Sequence, residues 1–188
     1  MSDSIDHSIE VRILVEVVPY KSELAPLLTP NLLEEGNQSL VNAVNDCLYT
    51  VAWEPTAIKK AIWVTTGLLI AGAGFHVKEH GEPLVEDGVV TFTLGVQLEV
   101  AFNKDQASNL PVDVADKLAS SWKTLMHNVF GDSLTEDALE DGRINYENSS
   151  PAFRLLEAAE GGLGIVIEGV NMSYEIVPSP SPANSPSP

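Results

Sequence analysis

Residues 89–102 read VVTFTLGVQLEVAF, and the reading of this stretch decides the fold. Val90, Phe92, Leu94, Val96, Leu98, Val100 and Phe102 occupy every second position, with Thr91, Thr93, Gly95, Gln97 and Glu99 between them. Successive side chains of a strand point to opposite faces, so this period predicts a long strand with one apolar and one polar face. The polar face is compatible with water or with a partner.

Toward the amino terminus, SIEVRILVEVV at 8–18 repeats the pattern, with Ile9, Val11, Ile13, Val15 and Val17 against Glu10, Arg12 and Glu16. This is a second half-buried strand. The Pro-punctuated PYKSELAPLLTP reads as irregular, with a short helix after Thr29-Pro30, where Thr caps and Pro fits the first helical position. SLVNAVNDCLYTVA at 39–52 is an amphipathic helix ended by Glu54-Pro55. Cys47 belongs to its apolar side and reads as a small core residue rather than a nucleophile. Residues 58–77 read as two strands, about 58–65 and 68–77, turning at Thr66-Gly67, because Ile, Trp, Val and Thr cluster there. A helix from Pro55 is the competing reading. The acidic loop KEHGEPLVEDG follows.

Toward the carboxyl terminus, Leu110-Pro111 opens a helix, VDVADKLASSWKTLMHNVFG, that Gly131 stops. Ser133 with Glu136 forms a capping-box signature for a short acidic helix ending near Gly142. Ser150-Pro151 starts PAFRLLEAAE, closed by Gly161-Gly162, and 164–177 is the last strand. Strands at both ends with helices between them predict an α+β fold: a largely antiparallel sheet with amphipathic helices packed on one face. The expected organisation is an arm at 1–7, a single domain at 8–177 and a disordered Pro/Ser-rich tail, PSPSPANSPSP, at 178–188.

At 188 residues and 44% hydrophobic, the chain is long and apolar enough to build one core. Its 27 acidic against 10 basic residues give a net charge of −17, which excludes a nonspecific nucleic-acid binder. One cysteine makes no internal disulfide and no thiolate metal cluster. The acidic MSDSIDHSIE is not a secretory signal, so the expected location is the cytoplasm, or a particle assembled there. The uncharged 61–77 is short for a membrane span and diluted by Gly, Thr and His; it reads as buried core, with no membrane span. The N-x-S sequons at Asn37, Asn148 and Asn171 read as chance.

The sharpest chemical string is His76-Val77-Lys78-Glu79-His80, which fits the H-x-x-E-H metal pattern. On a helix His76 and His80 would lie one turn apart and share a zinc ion, Glu79 would serve as base, and Glu157 or Glu160 would supply the third ligand. Gly72 and Gly74 before it, with Gly81 and Pro83 after it, leave no room for a long ligand-bearing helix. On a strand His76, Lys78 and His80 share a face instead, as ordinary surface residues. Gly67, Gly72 and Gly74 match no phosphate-binding loop.

The acidic run Asp132, Glu136, Asp137, Glu140 and Asp141 lacks calcium-loop spacing and reads as a solvated face or a contact for a basic partner. With Thr91, Thr93, Gln97 and Glu99 it makes up the candidate interaction residues. Trp122 reads as core, and Trp53 and Trp63 as core or interface anchors. The expected function is a non-enzymatic structural protein without a cofactor. It acts through protein contacts as a homo-oligomeric subunit of a cellular or viral assembly. The alternatives are a zinc-dependent hydrolase and an acidic decoy for a basic partner protein.

Overall fold

A computed structural model describes residues 4–51, 59–60, 62–64, 67, 69–103, 105, 110, 112–134, 136–144 and 150–178. Five strands, β1 (Ser4–Pro19), β2 (Gly72–Glu79), β3 (Leu84–Glu86), β4 (Val89–Asn103) and β5 (Ile167–Val177), form one sheet. β4 and β1 are its centre, paired antiparallel from Ser4 opposite Asn103 to Val17 opposite Val90. β2 and β3 flank β4, β5 flanks β1, and the order is β2-β4-β1-β5 with every pairing antiparallel.

The period-two reading of 8–18 and 89–102 holds along both central strands. All five inward residues of β1 and all seven of β4 are buried. β1 begins at Ser4 rather than Ser8, so residues 4–7 of the expected arm are strand.

Among the described residues four longer helices, α1 (Pro30–Val51), α2 (Val114–Phe130), α3 (Glu136–Ile144) and α4 (Pro151–Leu163), accompany the sheet, with a 3-10 turn at Ser22–Leu27 and helical residues at 59–60 and 62–64. α1, α2 and α4 lay their apolar stripes on the inward residues of the strands and build one core. Trp122 is part of it, its Nε1 donating to the Val96 carbonyl at 3.2 Å.

α1 absorbs both segments expected there. Thr29 does cap it, its Oγ1 accepting from Leu32 N at 3.2 Å, but the helix then runs unbroken through Gly36 to Val51. Gly36 lies where α4 crosses. A Cβ on Gly162 would stand 2.6 Å from Gly36 Cα, so the absent side chains let the two backbones touch. For the same reason α4 continues past Gly161-Gly162 and ends at Gly164, left-handed at φ 70°. Ser150 caps it as expected, accepting from Phe153 N.

Three further expectations are corrected. Lys59, Lys60 and Ile62–Val64 are helical, not strand. Ile62 is 2% exposed and Val64 74%, although a strand would turn both the same way. The apolar cluster at 58–65 therefore obeys the helical competitor, and the second strand runs Gly72–Glu79.

The acidic loop contains β3, closed onto β4 by Asp87 (φ 51°) and Gly88 (φ 76°), the positive-φ pair of a tight hairpin. Ser133 does not cap α3, which starts at Glu136; it bridges instead to Asn171 of β5. Among the described residues no helix is long and apolar enough to cross a membrane. The tail from 179 on, Trp53, the Glu54-Pro55 stop, Thr66, Pro111 and the Asn148 sequon lie outside the described residues.

Candidate functional site

The sheet has two unlike faces, because the strands alternate and the three large helices lie on one side only. The other face carries Ser8, Glu10, Arg12, Leu14 and Glu16 from β1, and Thr91, Thr93, Gly95, Gln97 and Glu99 from β4. His76 and Lys78 extend it on β2, and Asn171, Ser173 and Glu175 on β5. Thr91, Thr93 and Gln97 are half-buried and Glu99 is exposed. The β-face candidates thus share one surface, which no described element covers.

The register builds a charged row at the centre of that surface. Glu175, Arg12, Gly95 and Lys78 stand side by side on four strands. Glu10, in the next row, reaches Lys78 Nζ at 3.4 Å and Arg12 Nε at 3.7 Å. Gly95 makes room for this: a Cβ there would sit 2.9 Å from Glu10 Oε1 and 3.5 Å from Lys78 Cε. Half-exposed pairs of this kind contribute about 0.2–1 kcal/mol each, so they order the surface more than they stabilise the fold. Gln97 Nε2 donates to Ser8 Oγ at 2.5 Å. The result is a surface of both charge signs, with a hollow of about 360 Å³ lined by Ser8, Gly74 and Glu99 toward one end of it.

The two sheet edges differ as well. β5 is overlaid where Met172 N donates to the Asp132 carbonyl at 2.6 Å and Leu134 N to the Val170 carbonyl at 3.0 Å. Among the described residues no strand pairs with the outer side of β2.

The acidic candidates fall elsewhere. Asp132 Oδ1 lies 2.8 Å from His127 Nε2, at the foot of α2. Asp137, Glu140 and Asp141 are exposed on α3, which packs on α4, away from the open sheet face; Glu136 opens that helix. The structure does not bring the two candidate sets together. Arg143 on α3 turns to Glu160 at 2.7 Å, and Glu160 also accepts from Ile167 N, so this carboxylate ties α3, α4 and β5.

The H-x-x-E-H string lies on β2 and the residue after it, not on a helix. His76 faces the open side of the sheet, opposite Gln97. Glu157 is on α4, on the helical side, and β2 and β5 are opposite edges of the sheet. Among the described residues no three His, Cys, Asp or Glu side chains are placed to share a metal ion.

Cys47 is buried, and desolvation pushes its thiol above the usual range, as fits a core residue. Trp63, in the helical stretch 62–64, is 50% exposed. Asn37 is buried and cannot carry a glycan, whereas Asn171 is exposed.

Comparison with known proteins finds no match, either to a protein family, to a curated sequence or to a solved structure.

Proposed function

We propose that this chain is a non-enzymatic structural subunit that associates with copies of itself through the uncovered sheet face and the adjoining β2 edge. The observation that carries the reading is the one-sided architecture: a five-stranded sheet with its helices on one face and an uncovered polar surface on the other. A net charge of −17 opposes self-association in general. This surface is also net acidic, but it mixes the signs: Arg12 and Lys78 stand among Glu10, Glu16, Glu99 and Glu175. Two copies related by a twofold axis can cross-pair these charges, and two β2 edges can pair antiparallel into a continuous sheet.

Size-exclusion chromatography with light scattering tests it. The expected mass is a multiple of the 20.2 kDa chain. The double variant T91R/Q97R, which adds bulk and charge to the open face, is expected to dissociate the oligomer while the far-UV circular dichroism spectrum of the folded chain is retained. A wild-type monomer at every concentration tested, or an oligomer indifferent to T91R/Q97R and to a proline in β2, would overturn the reading.

A further inference from the structure

β2 runs Gly72-Ala73-Gly74-Phe75-His76-Val77-Lys78-Glu79, and on the open face its two halves are opposites. Gly72 and Gly74 present no side chain, and a Cβ on either would meet no atom within 4 Å. His76 and Lys78 are large and exposed. The empty half borders the hollow of about 360 Å³. There Glu99, across from Gly74, is exposed and has no ion pair among the described residues. His80 N donates to the Thr93 carbonyl at 2.9 Å, and the register continues this so that even-numbered residues of β2 bond to β4. The N–H and C=O groups of Ala73, Phe75 and Val77 therefore point away from β4, where among the described residues no strand meets them.

Antiparallel pairing of a strand with its own copy sets the first half of one against the second half of the other. Opposite residues share a face, so a twofold axis normal to the sheet allows two registers over most of β2: Phe75 opposite Phe75, or His76 opposite His76. The second sets two imidazoles side by side. The first sets His76 opposite Gly74 and Lys78 opposite Gly72, large against absent, with the donors of one copy facing Glu99 of the other. It also brings together the two Phe75 rings, each half-buried and 6.3 Å from Trp122 between centroids. We propose that two copies pair along β2 with Phe75 opposite Phe75, and that His76 and Lys78 of each fill the hollow of the other and donate to its Glu99. Strands stand about 4.8 Å apart, so Glu99 lies two spacings from β2 of the second copy, within the joint reach of the side chains. Lys78 exchanges its contact with Glu10, at 3.4 Å, which is worth little at this exposure. The inference rests on the self-association proposed above and adds the register and the residues that each copy contributes to the other.

Sedimentation of the full chain measures the dissociation constant. G74L fills the hollow at a position with room for a side chain, and is expected to raise that constant at least about tenfold while the far-UV circular dichroism spectrum is retained. E99Q lowers the net negative charge, which by itself favours association; it is nevertheless expected to weaken the dimer at least about threefold. E168Q, which removes an exposed charge from β5, is expected not to weaken it. The register has its own measure, because opposite residues that are not hydrogen-bonded stand about 4.5 Å apart, within disulfide range. In an oxidised equimolar mixture of G74C and H76C chains, the mixed dimer is expected to be the main cross-linked product. Predominant H76C homodimers mark the other register and overturn the proposal, and so does a tighter dimer in E99Q. An oligomer that T91R/Q97R dissociates but that tolerates G74L overturns it alone. A wild-type monomer overturns it together with the reading it rests on.

Discussion

β4 presents Val90, Phe92, Leu94, Val96, Leu98, Val100 and Phe102 to the helices, all buried, and Thr91, Thr93 and Gln97 to the open side, all half-buried. One backbone thus serves two environments that differ only in what lies above them. On the inner side a lost atom leaves a cavity that neighbours cannot refill. On the outer side of the dissociated chain solvent refills it. The comparison breaks most readily at adjacent positions. Phe92→Ala is expected to cost about 3–5 kcal/mol in urea unfolding, and Thr93→Ala less than about 1 kcal/mol. These values hold for the dissociated chain; a larger loss at Thr93, with a midpoint that depends on protein concentration, is the result expected where a second copy packs on the outer face.

A second contrast lies on α4, between neighbouring glycines. A Cβ on Gly162 would meet Gly36 Cα at 2.6 Å and the Glu35 carbonyl at 2.7 Å, both backbone atoms that cannot step aside. Gly162→Ala is therefore expected to push α1 and α4 apart at a cost of about 1–3 kcal/mol. A Cβ on Gly161 would have no atom within 4 Å, so Gly161→Ala is expected to stabilise by about 0.4–1 kcal/mol. Opposite signs in denaturant midpoints one residue apart are the check.

These glycines also show what was legible in the chain. β1 and β4 could be read because a buried face enforces strict alternation, and the same alternation located Thr91, Thr93, Gln97 and Glu99 on one surface. Gly161-Gly162 reads as a helix end, because the use of Gly162 is a contact with Gly36, distant in sequence. Ile62, Trp63 and Val64 favoured a strand by residue type, and only burial of Ile62 against exposure of Val64 reveals the helical period. The Asp87-Gly88 turn was there to be read as a hairpin, with Leu84–Glu86 before it and β4 after.

For the candidate site, pattern fixed which way side chains point but not which strands are neighbours. The row through Glu175, Arg12, Gly95 and Lys78 exists only once the register is set. The hollow at Ser8, Gly74 and Glu99 likewise joins strands that no local motif connects.

The margin of the core has its own test. Tyr174 is the inward residue near the end of β5, and its hydroxyl donates to the Gly131 carbonyl at 2.7 Å. Burial raises the phenol well above its ordinary value of 10.0, and the nearby Asp132 carboxylate raises it further. The folded protein therefore favours the neutral phenol. Its contribution to stability is fully present below pH 10 and is lost as pH rises beyond that point, where the unfolded chain ionises first. Tyr174→Phe is expected to cost about 1 kcal/mol at neutral pH through the lost hydrogen bond. The advantage of the wild type should then shrink above pH 10, measured as the difference between the two unfolding curves. A constant difference across that range would show that Tyr174 is solvated in the folded state.

The smallest expected effect sharpens the comparison between faces the most. A Cβ on Gly95 would stand 2.9 Å from Glu10 Oε1, a clash almost as close as those at Gly162. Distance alone would rank the two substitutions together. The obstacle at Gly95, however, is the far end of a flexible carboxylate on an open surface, and it can rotate away. The displacement disturbs the contacts of Glu10 with Lys78 and Arg12, together worth little at this exposure. Replacing a strand glycine by alanine also recovers some backbone entropy. Gly95→Ala is therefore expected to shift stability by less than about 0.5 kcal/mol in either direction. In the proposed assembly its effect would be larger, because displacing Glu10 disturbs Arg12 and Lys78, the charges that two copies would cross-pair. Unfolding midpoints that barely move, beside a raised dissociation constant in sedimentation, would place the use of this residue on the surface and not in the fold.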